Sequence, residues 1–579
     1  MPRATRSLSS LVRELRDRHV FRVAVLYVVV GFGAIQAADL LFPRLGLPEW
    51  TVQLVVGLTI VGLPMAVVLA WAFELTSEGL VRAAAETEGV IDPGRQDEGA
   101  AEGGADGVGE PADPRRIAIL PLSNIHPDRD QDYFADGMTE ELISVVSRIQ
   151  GLDVIARTSV MAYRDTSKSV REIGRELRVG TVLEGSVRKA GDQLRITVQL
   201  IDTRSQGHLW SEDYDREMKE IFQVQGDIAR NVADALQVTL LGAEERRLER
   251  ASTDNLEAYD LYLLGRHHLN KRSADGIRNA VQYFEAATGM DPSFALAHAG
   301  LADAYVVAGI GYAAIPDALQ LAKKAALRAL ELDDELPEAH TSLGYVALND
   351  GWDWQTAERE LGRAIELCPS DAQAHQWFAQ VALYRQRYAE AARRIDRPRE
   401  LDPLSVVIQT ESGWPYMYMG DTQNLEIAMA RFREAARMDP SFALAHFNIG
   451  NCHEILGRLD EAIPCYQRAV ELSQRIPFML SFLGAALART GKGDHAHEIL
   501  DEVRGQVEGG AALSYTLAII HEALGDKEEA LDHLERSWQG REPVLLALGT
   551  VFLPMKALVD EPRFQAVLRA VHERLGIEP

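Results

Sequence analysis

From His446 to Trp538 the chain repeats itself with a period of 34 residues. Ile449-Gly450, Leu483-Gly484 and Leu517-Ala518 share one register. Ala462, Ala496 and Ala530 share a second, and Tyr466, Leu500 and Leu534 a third. A fixed period of this length describes one helix-turn-helix unit copied and stacked. The small residue after Leu or Ile lets the two helices of a unit approach closely. The later Ala and the large apolar residue face the neighbouring unit. One unit cannot bury its apolar face alone, so several are needed.

The pattern extends backward to about Leu256. Leu264-Gly265, Phe284, Ala287 and Pro292 mark a first unit, and Leu301-Ala302, Tyr305 and Ala329 a second. Leu343-Gly344, Ala357, Ala364 and Pro369 mark a third, and Phe378-Ala379, Ala391, Ile395 and Pro403 a fourth. Gly413, Ala428, Phe432, Ala435 and Pro440 mark a fifth. About eight units therefore span 257–542. These signs resemble the tetratricopeptide (TPR) family, which implies an all-α solenoid that binds proteins or peptides. Residues 543–579 read as a C-terminal capping segment, with Phe564, Val567, Leu568 and Val571 on one helical face. Arg397-Pro398 and Trp414-Pro415 interrupt the pattern, and Pro breaks a helix interior, so an irregularity is expected between Arg397 and Pro415.

Ahead of the array the pattern differs. Residues 1–22 are basic, with Arg3, Arg6, Arg13, Arg16, Arg18 and Arg22. They suit either an amphipathic surface helix or a plain positive flank. Residues 23–42 and 51–73 are two apolar runs of bilayer-spanning length, joined by an eight-residue break from Pro43 to Trp50. The expectation is a transmembrane helical hairpin over 23–73, in contact with the lipid bilayer. The arginine excess before the first run places both termini in the cytoplasm, at the inner membrane. A cleaved signal peptide is disfavoured by the length of the first run and by the second that follows it. The small-residue spacing of Gly33 with Ala37 is compatible with a homo-oligomer. Residues 83–114 carry nine acidic residues against Arg95 alone, the composition of a disordered acidic linker.

Residues 115–240 alternate strands and helices in the order β-α-β-α-β-β-β-α, a mixed α/β domain. The motifs Ile117-Ala118-Ile119-Leu120-Pro121-Leu122, Tyr133-Phe134-Ala135-Asp136-Gly137-Met138-Thr139, Leu183-Glu184-Gly185-Ser186-Val187-Arg188 and His208-Leu209-Trp210-Ser211-Glu212-Asp213-Tyr214 resemble the TolB amino-terminal-like domain. That resemblance implies a bacterial module set between a membrane segment or an output domain and a TPR array. The fold class expected for the whole chain is therefore multidomain: membrane hairpin, mixed α/β domain, then all-α solenoid.

Chemistry is sparse. Asp136, Glu140 and Glu141 cluster where a helix is expected to start, and acids there complement the helix dipole. An acid–base role lacks a partner histidine at useful spacing. His298, His340, His375 and His446 recur at one place in successive units, so each sits on its own helix, too far apart for a shared metal. Thr490-Gly491-Lys492-Gly493 lacks the upstream glycine of a phosphate loop. Trp210 and Tyr214 suit core packing better than ligand stacking. The three cysteines, Cys368, Cys452 and Cys465, form no disulfide framework. No catalytic, cofactor-binding or metal residue is expected, and the chain is read as a non-enzymatic scaffold. The alternative is a sensor whose α/β domain binds a small ligand. A net charge of −26 argues against nucleic acid as a partner.

Overall fold

A computed structural model of the chain describes residues 73–76, 79–82, 113–125, 132–508, 513–548 and 554–577. Two compact units are resolved, Met1–Asp106 and Gly107–Pro579. In the first, β1 (Phe73–Thr76) pairs antiparallel with β2 (Gly79–Arg82).

The membrane expectations are corrected. Among the described residues no helix is long and apolar enough to cross a membrane. Phe73, read as the end of the second span, instead opens β1, whose backbone is paired with β2. Hydropathy counts apolar residues, whereas a span requires one unbroken helix satisfying its own backbone. The hairpin in the expected fold class and the multi-pass inner-membrane location are therefore not supported. The expected segments at 1–22 and 23–72, and the linker up to residue 112, lie outside the described residues. What is described is mostly helical, with a TPR-like repeat region and a small mixed sheet.

The sheet runs β5 (Asp153–Val154), β3 (Arg116–Ile119), β6 (Thr181–Ala190), β7 (Gln193–Asp202), β8 (His208–Glu217), with β4 (Ser123–Asn124) also paired to β6. The first three are parallel, and β6, β7 and β8 are antiparallel. A two-residue loop joins β6 to β7. Gly191 there takes φ +59°, a conformation that glycine adopts without Cβ strain. Ile196, Val198 and Leu200 of β7 are fully buried beneath helices Asp132–Ser147 and Ile221–Ala235. Helix Val170–Leu177 begins with a capping box, Ser169 with Glu172.

From Leu256 to Gln539 the helices form antiparallel pairs. The first three are Leu256–Leu269 with Ala274–Met290, Ala295–Val307 with Ala318–Leu332, and Pro337–Asn349 with Trp354–Leu367. The last three are Ala443–Ile455 with Leu459–Leu472, Pro477–Arg489 with Gly493–Glu508, and Ser514–Leu524 with Lys527–Gln539. The small-residue register has a clear cause. A Cβ on Gly265 or on Gly300 would lie 2.6 Å from the Phe284 ring, and one on Gly450 would lie 2.7 Å from Tyr466. Helices close over a large ring only where their own side chain is absent.

The middle pairs are broken, as the prolines require. The second helix of unit 4 splits into Tyr388–Arg394 and Asp396–Leu401, and the first helix of unit 5 into Val406–Glu411 and Trp414–Met419. Thr422–Met438 completes unit 5. Helix Pro562–Leu575 packs on the last unit, where Arg563 meets Glu528, Asp532 and Glu535.

Candidate functional site

The first helices of successive units pack side by side, Ala295–Val307 on Pro337–Asn349 and Pro337–Asn349 on Ala372–Tyr384, and so share one face of the array. Across units 3 to 5 this face is a mixed aromatic and polar strip. Tyr345 and Trp377 pack with ring centroids 4.4 Å apart and planes inclined at 45°. Gln376 and Gln380, one helical turn apart, each donate at 2.9 Å to one carboxylate oxygen of Glu411. Burial pushes the Glu411 carboxyl up to about 7, and the two amide donors only partly offset it. Tyr418, on the first helix of unit 5, continues the strip, its ring 6.0 Å from that of Tyr388 at the start of the second helix of unit 4. The four aromatic residues range from half-buried to buried, so the face combines apolar area with fixed hydrogen-bonding groups.

Two parts of the same chain border this face. On one side the α/β domain docks along the start of the array. Arg266 of unit 1 grips Glu140, with Nε donating at 2.8 Å, and Asn270 donates to the other oxygen at 2.7 Å. Tyr262 donates to Glu141 at 2.9 Å. Arg148 reaches Glu338 of unit 3 at 2.7 Å. The Val154 amide donates to Ser370 Oγ at 3.1 Å, and Ser159 donates to Asp402 at 2.5 Å. Arg397 holds Asp153 through two nitrogens, at 3.0 and 2.5 Å. Leu401 accepts from the Ala156 amide at 2.8 Å.

On the other side sits the C-terminal segment. Arg385 of unit 4 donates to the Leu575 carbonyl at 3.2 Å and lies over the Trp354 ring, 3.3 Å from its centroid. Gln386 meets His572 at 3.2 Å. Trp352 and Trp538 pack with centroids 5.6 Å apart. Arg489 binds Glu522 at 2.7 Å, and Glu522 accepts from the Ala557 amide at 2.9 Å. A cavity of about 650 Å³ remains between the turn at Gly351–Thr356 and the end of the last helix, lined by Lys323, Asp350, Trp352, Trp354 and Arg574.

The carboxylate cluster is not a helix cap. Helix Asp132–Ser147 starts a turn before Asp136, and Asp136, Glu140 and Glu141 are all buried within it. Burial raises the Glu140 carboxyl, but the Arg266 and Arg157 guanidinium groups outweigh this and hold it below the usual range. Burial likewise acts on Asp136, where His267 and Arg164 prevail and lower it. Glu141 has no such cation in contact; burial lifts it to about 7 despite the Tyr262 hydrogen bond. These acids serve docking of the domain to unit 1. A sequence signal existed: Asp136 and Glu140 share a helical face in a segment without any fully polar face.

The four repeat histidines do not meet. His298, His375 and His446 each donate from Nε2 to the carbonyl six residues earlier, Pro292, Pro369 and Pro440, at 3.0 to 3.2 Å. His340 does the same to Asp334 at 3.1 Å and also meets Glu360 at 2.7 Å. Each histidine fastens the turn that enters its unit. No cluster able to hold a metal is found among the described residues. Tyr214 is buried, with Asn231 donating to its hydroxyl at 3.0 Å. Thr490 hydrogen-bonds back to Ala486 at a helix end, and Gly491 turns the chain there.

Comparison with known proteins agrees with the geometry in part. A tetratricopeptide repeat model matches residues 443–475. Residues 113–231 match a model described as HilA/YgeH-like transcriptional regulator, second domain, rather than the TolB amino-terminal-like domain. The chain is 40% identical over 235 residues to a Rhizobium meliloti (strain 1021) protein named putative adenylate cyclase 3, covering 40% of each chain. It is 25% identical over 214 residues to human tetratricopeptide repeat protein 6, covering 37% of this chain and 38% of that one. It thus spans about 40% of the length of the curated relatives it matches. Among solved structures, YrrB, a TPR protein with an unusual peptide-binding site, is 17% identical over 33% of this chain and 91% of that one, with a TM-score of 0.25. A likeness that low carries no argument of its own. The paired helices and the matched repeat together identify the helical region as one built of tetratricopeptide repeats, the architecture of a protein–protein interaction scaffold.

Proposed function

We propose that the chain is a non-enzymatic scaffold that binds a protein or peptide through the inner face of its repeat array. The observation that carries this reading is the strip over units 3 to 5. Tyr345 and Tyr418 offer part-exposed aromatic area, and the buried Trp377 and the buried hydrogen-bonded set of Gln376, Gln380 and Glu411 make the strip rigid. Peptide sites are largely pre-formed and rich in aromatic area in this way. The non-enzymatic part rests on Asp136, Glu140 and Glu141, which are engaged in docking and not turned toward a cleft. In this reading residues 115–240 are a TolB amino-terminal-like module that braces the start of the array.

A second reading, a sensor whose α/β domain binds a small ligand and whose array relays it, draws on one observation. Ion pairs join that domain to units 1, 3 and 4 directly, so movement of the domain would be passed on. Proximity labelling in cells with the full chain, unaltered and as Trp377→Ala with Gln380→Ala, separates the two. The scaffold reading expects a reproducible set of labelled proteins that the paired variant loses. An unchanged set, with a metabolite raising the melting temperature of both chains, would favour the sensor.

A further inference from the structure

The last strand of the sheet has a free edge with an unusual composition. β8 spans ten residues, His208–Glu217, and among the described residues it pairs only with β7. The register tells which of its backbone groups are committed. Met218 donates to the Asp192 carbonyl, and Leu194 stands opposite Arg216, Ile196 opposite Tyr214 and Val198 opposite Glu212. In an antiparallel ladder, hydrogen-bonded and non-hydrogen-bonded pairs alternate. The even-numbered residues of β8 therefore bond to β7. The amides and carbonyls of Ser211, Asp213, Asp215 and Glu217 face outward.

The side chains of those same four residues are exposed on the open face of the sheet. Three of them are acidic. Their surroundings do not neutralise them all. Lys219 pairs with Glu217 at 2.7 Å, and Arg216 with Glu220 at 3.6 Å. Asp213 accepts only from Thr197, at 2.5 Å. Asp215 stands opposite Arg195 but forms no ion pair with it. Helix Ile221–Ala235 packs on the other face, where Asn231 donates to Glu212. Four successive outward-facing residues, unpaired on that side among the described residues, are a template for another strand. Its acids make one copy of β8 a poor partner for a second, since like charges would be brought side by side. They favour a strand that carries lysine or arginine at alternate positions.

We propose that the free edge of β8 receives an extended basic peptide segment of a partner protein as an added strand, with Asp213 and Asp215 meeting its cations. This site is separate from the inner face of the array, and it stands whether or not that face binds a partner. The backbone ladder supplies the binding and the two aspartates select the sign of charge.

The test uses the full chain and a labelled nine-residue peptide alternating lysine and valine, followed by fluorescence anisotropy. Saturable binding is expected. A glutamate–valine peptide should not bind. The same lysine–valine peptide methylated on alternate backbone nitrogens keeps its charge but cannot complete the ladder, and it should bind on the order of tenfold more weakly or worse. Asp215→Pro removes one outward amide and one carboxylate while sparing the bonds to β7, and should weaken binding by about the same factor. Equal binding of the methylated and unmethylated peptides would reduce the effect to bulk charge and overturn the proposal. So would the absence of binding, or a chain that dimerises by sedimentation through an edge that Asp215→Pro disrupts. The methylated peptide decides the matter even if the proline variant fails to fold.

Discussion

Replacing Arg266 with Met keeps most of the stem of the side chain and removes the charge that faces Glu140. The Glu140 side chain is 10% exposed and that of Arg266 is 19% exposed. Removing one member of a buried pair destabilises by roughly 3–5 kcal/mol, chiefly because the other charge is stranded. Here Glu140 keeps Asn270 at 2.7 Å and Arg157 at 3.4 Å, so the low end, about 3 kcal/mol, is expected. Arg266 also binds Asp303 at 3.2 Å, so its loss strands two carboxylates, and Glu140→Gln in the same chain removes one of them. The double variant should then lose less than the sum of the singles, with a coupling of about 2 kcal/mol. A chain of several parts need not unfold in two states. The measurement is therefore native-state hydrogen exchange in helix Asp132–Ser147, which reports local opening free energy. A coupling below about 0.5 kcal/mol would refute the claim that this pair bolts the domain to the array.

Buried Glu141 and Glu411 both sit near 7, and Asp402 is raised to about 6 by burial. A raised carboxyl pKa means that the folded chain binds more protons, so this contribution is full below the unfolded value of about 4 and is lost as pH rises to about 7. His268, His298, His375, His453, His533 and His572, whose pKa burial lowers, work in the opposite direction over the same range. The test is therefore a difference: relative to the unaltered chain, Glu141→Gln should gain melting temperature as pH rises from about 5 to about 8, and equal slopes would count against it. Gly265→Ala forces a Cβ to within 2.6 Å of the Phe284 ring and should destabilise by about 2 kcal/mol in urea unfolding. Arg385→Ala, which removes the bond to Leu575 and the contact with Trp354, should speed hydrogen exchange in Pro562–Leu575 and leave Ala295–Val307 unchanged. His375→Ala loses the bond to Pro369 at 3.0 Å and should cost about 1 kcal/mol, with no response to chelators.

The array was legible because its signal is local. The residue pairs Gly265 with Phe284 and Gly450 with Tyr466 lie within one unit, at a spacing that recurs along the chain. The hairpin between β6 and β7 was legible for a similar reason, since Ala190-Gly191-Asp192 announces it, whereas the parallel placement of β5 and β3 beside β6 joins strands far apart in sequence. The second apolar run was read as a span ending at Phe73, but hydropathy does not fix where a helix ends, and Phe73 belongs to a strand. The docking contacts were invisible because their partners are far apart in sequence. Glu140 and Arg266 are separated by 126 residues, and Asp153 and Arg397 by 244. The acids at 136–141 could be seen in the sequence, but nothing near them named the arginines that hold them. The strip over units 3 to 5 was half legible. Periodicity places Tyr345, Gln380 and Glu411 on first helices, but only the fold brings them side by side.

A solenoid leaves an apolar face bare at each end, and something must cover it. At the start of this one the cover is the α/β domain. Tyr259 and Leu263 of the first repeat helix are fully buried, Phe222 packs on Tyr259 with centroids 4.8 Å apart, and Gly137 lies against Leu263. One apolar core runs from β3 through helix Ile221–Ala235 into the first units. The boundary near residue 250 is therefore a boundary in the pattern of the sequence and not a seam in cohesion. Severing the chain there would lay bare the aromatic face of Leu256–Leu269 on one piece and its covering on the other. The sheet and the leading repeats should lose their protection against exchange together, as one cooperative block, while the pairs after Thr422 open separately.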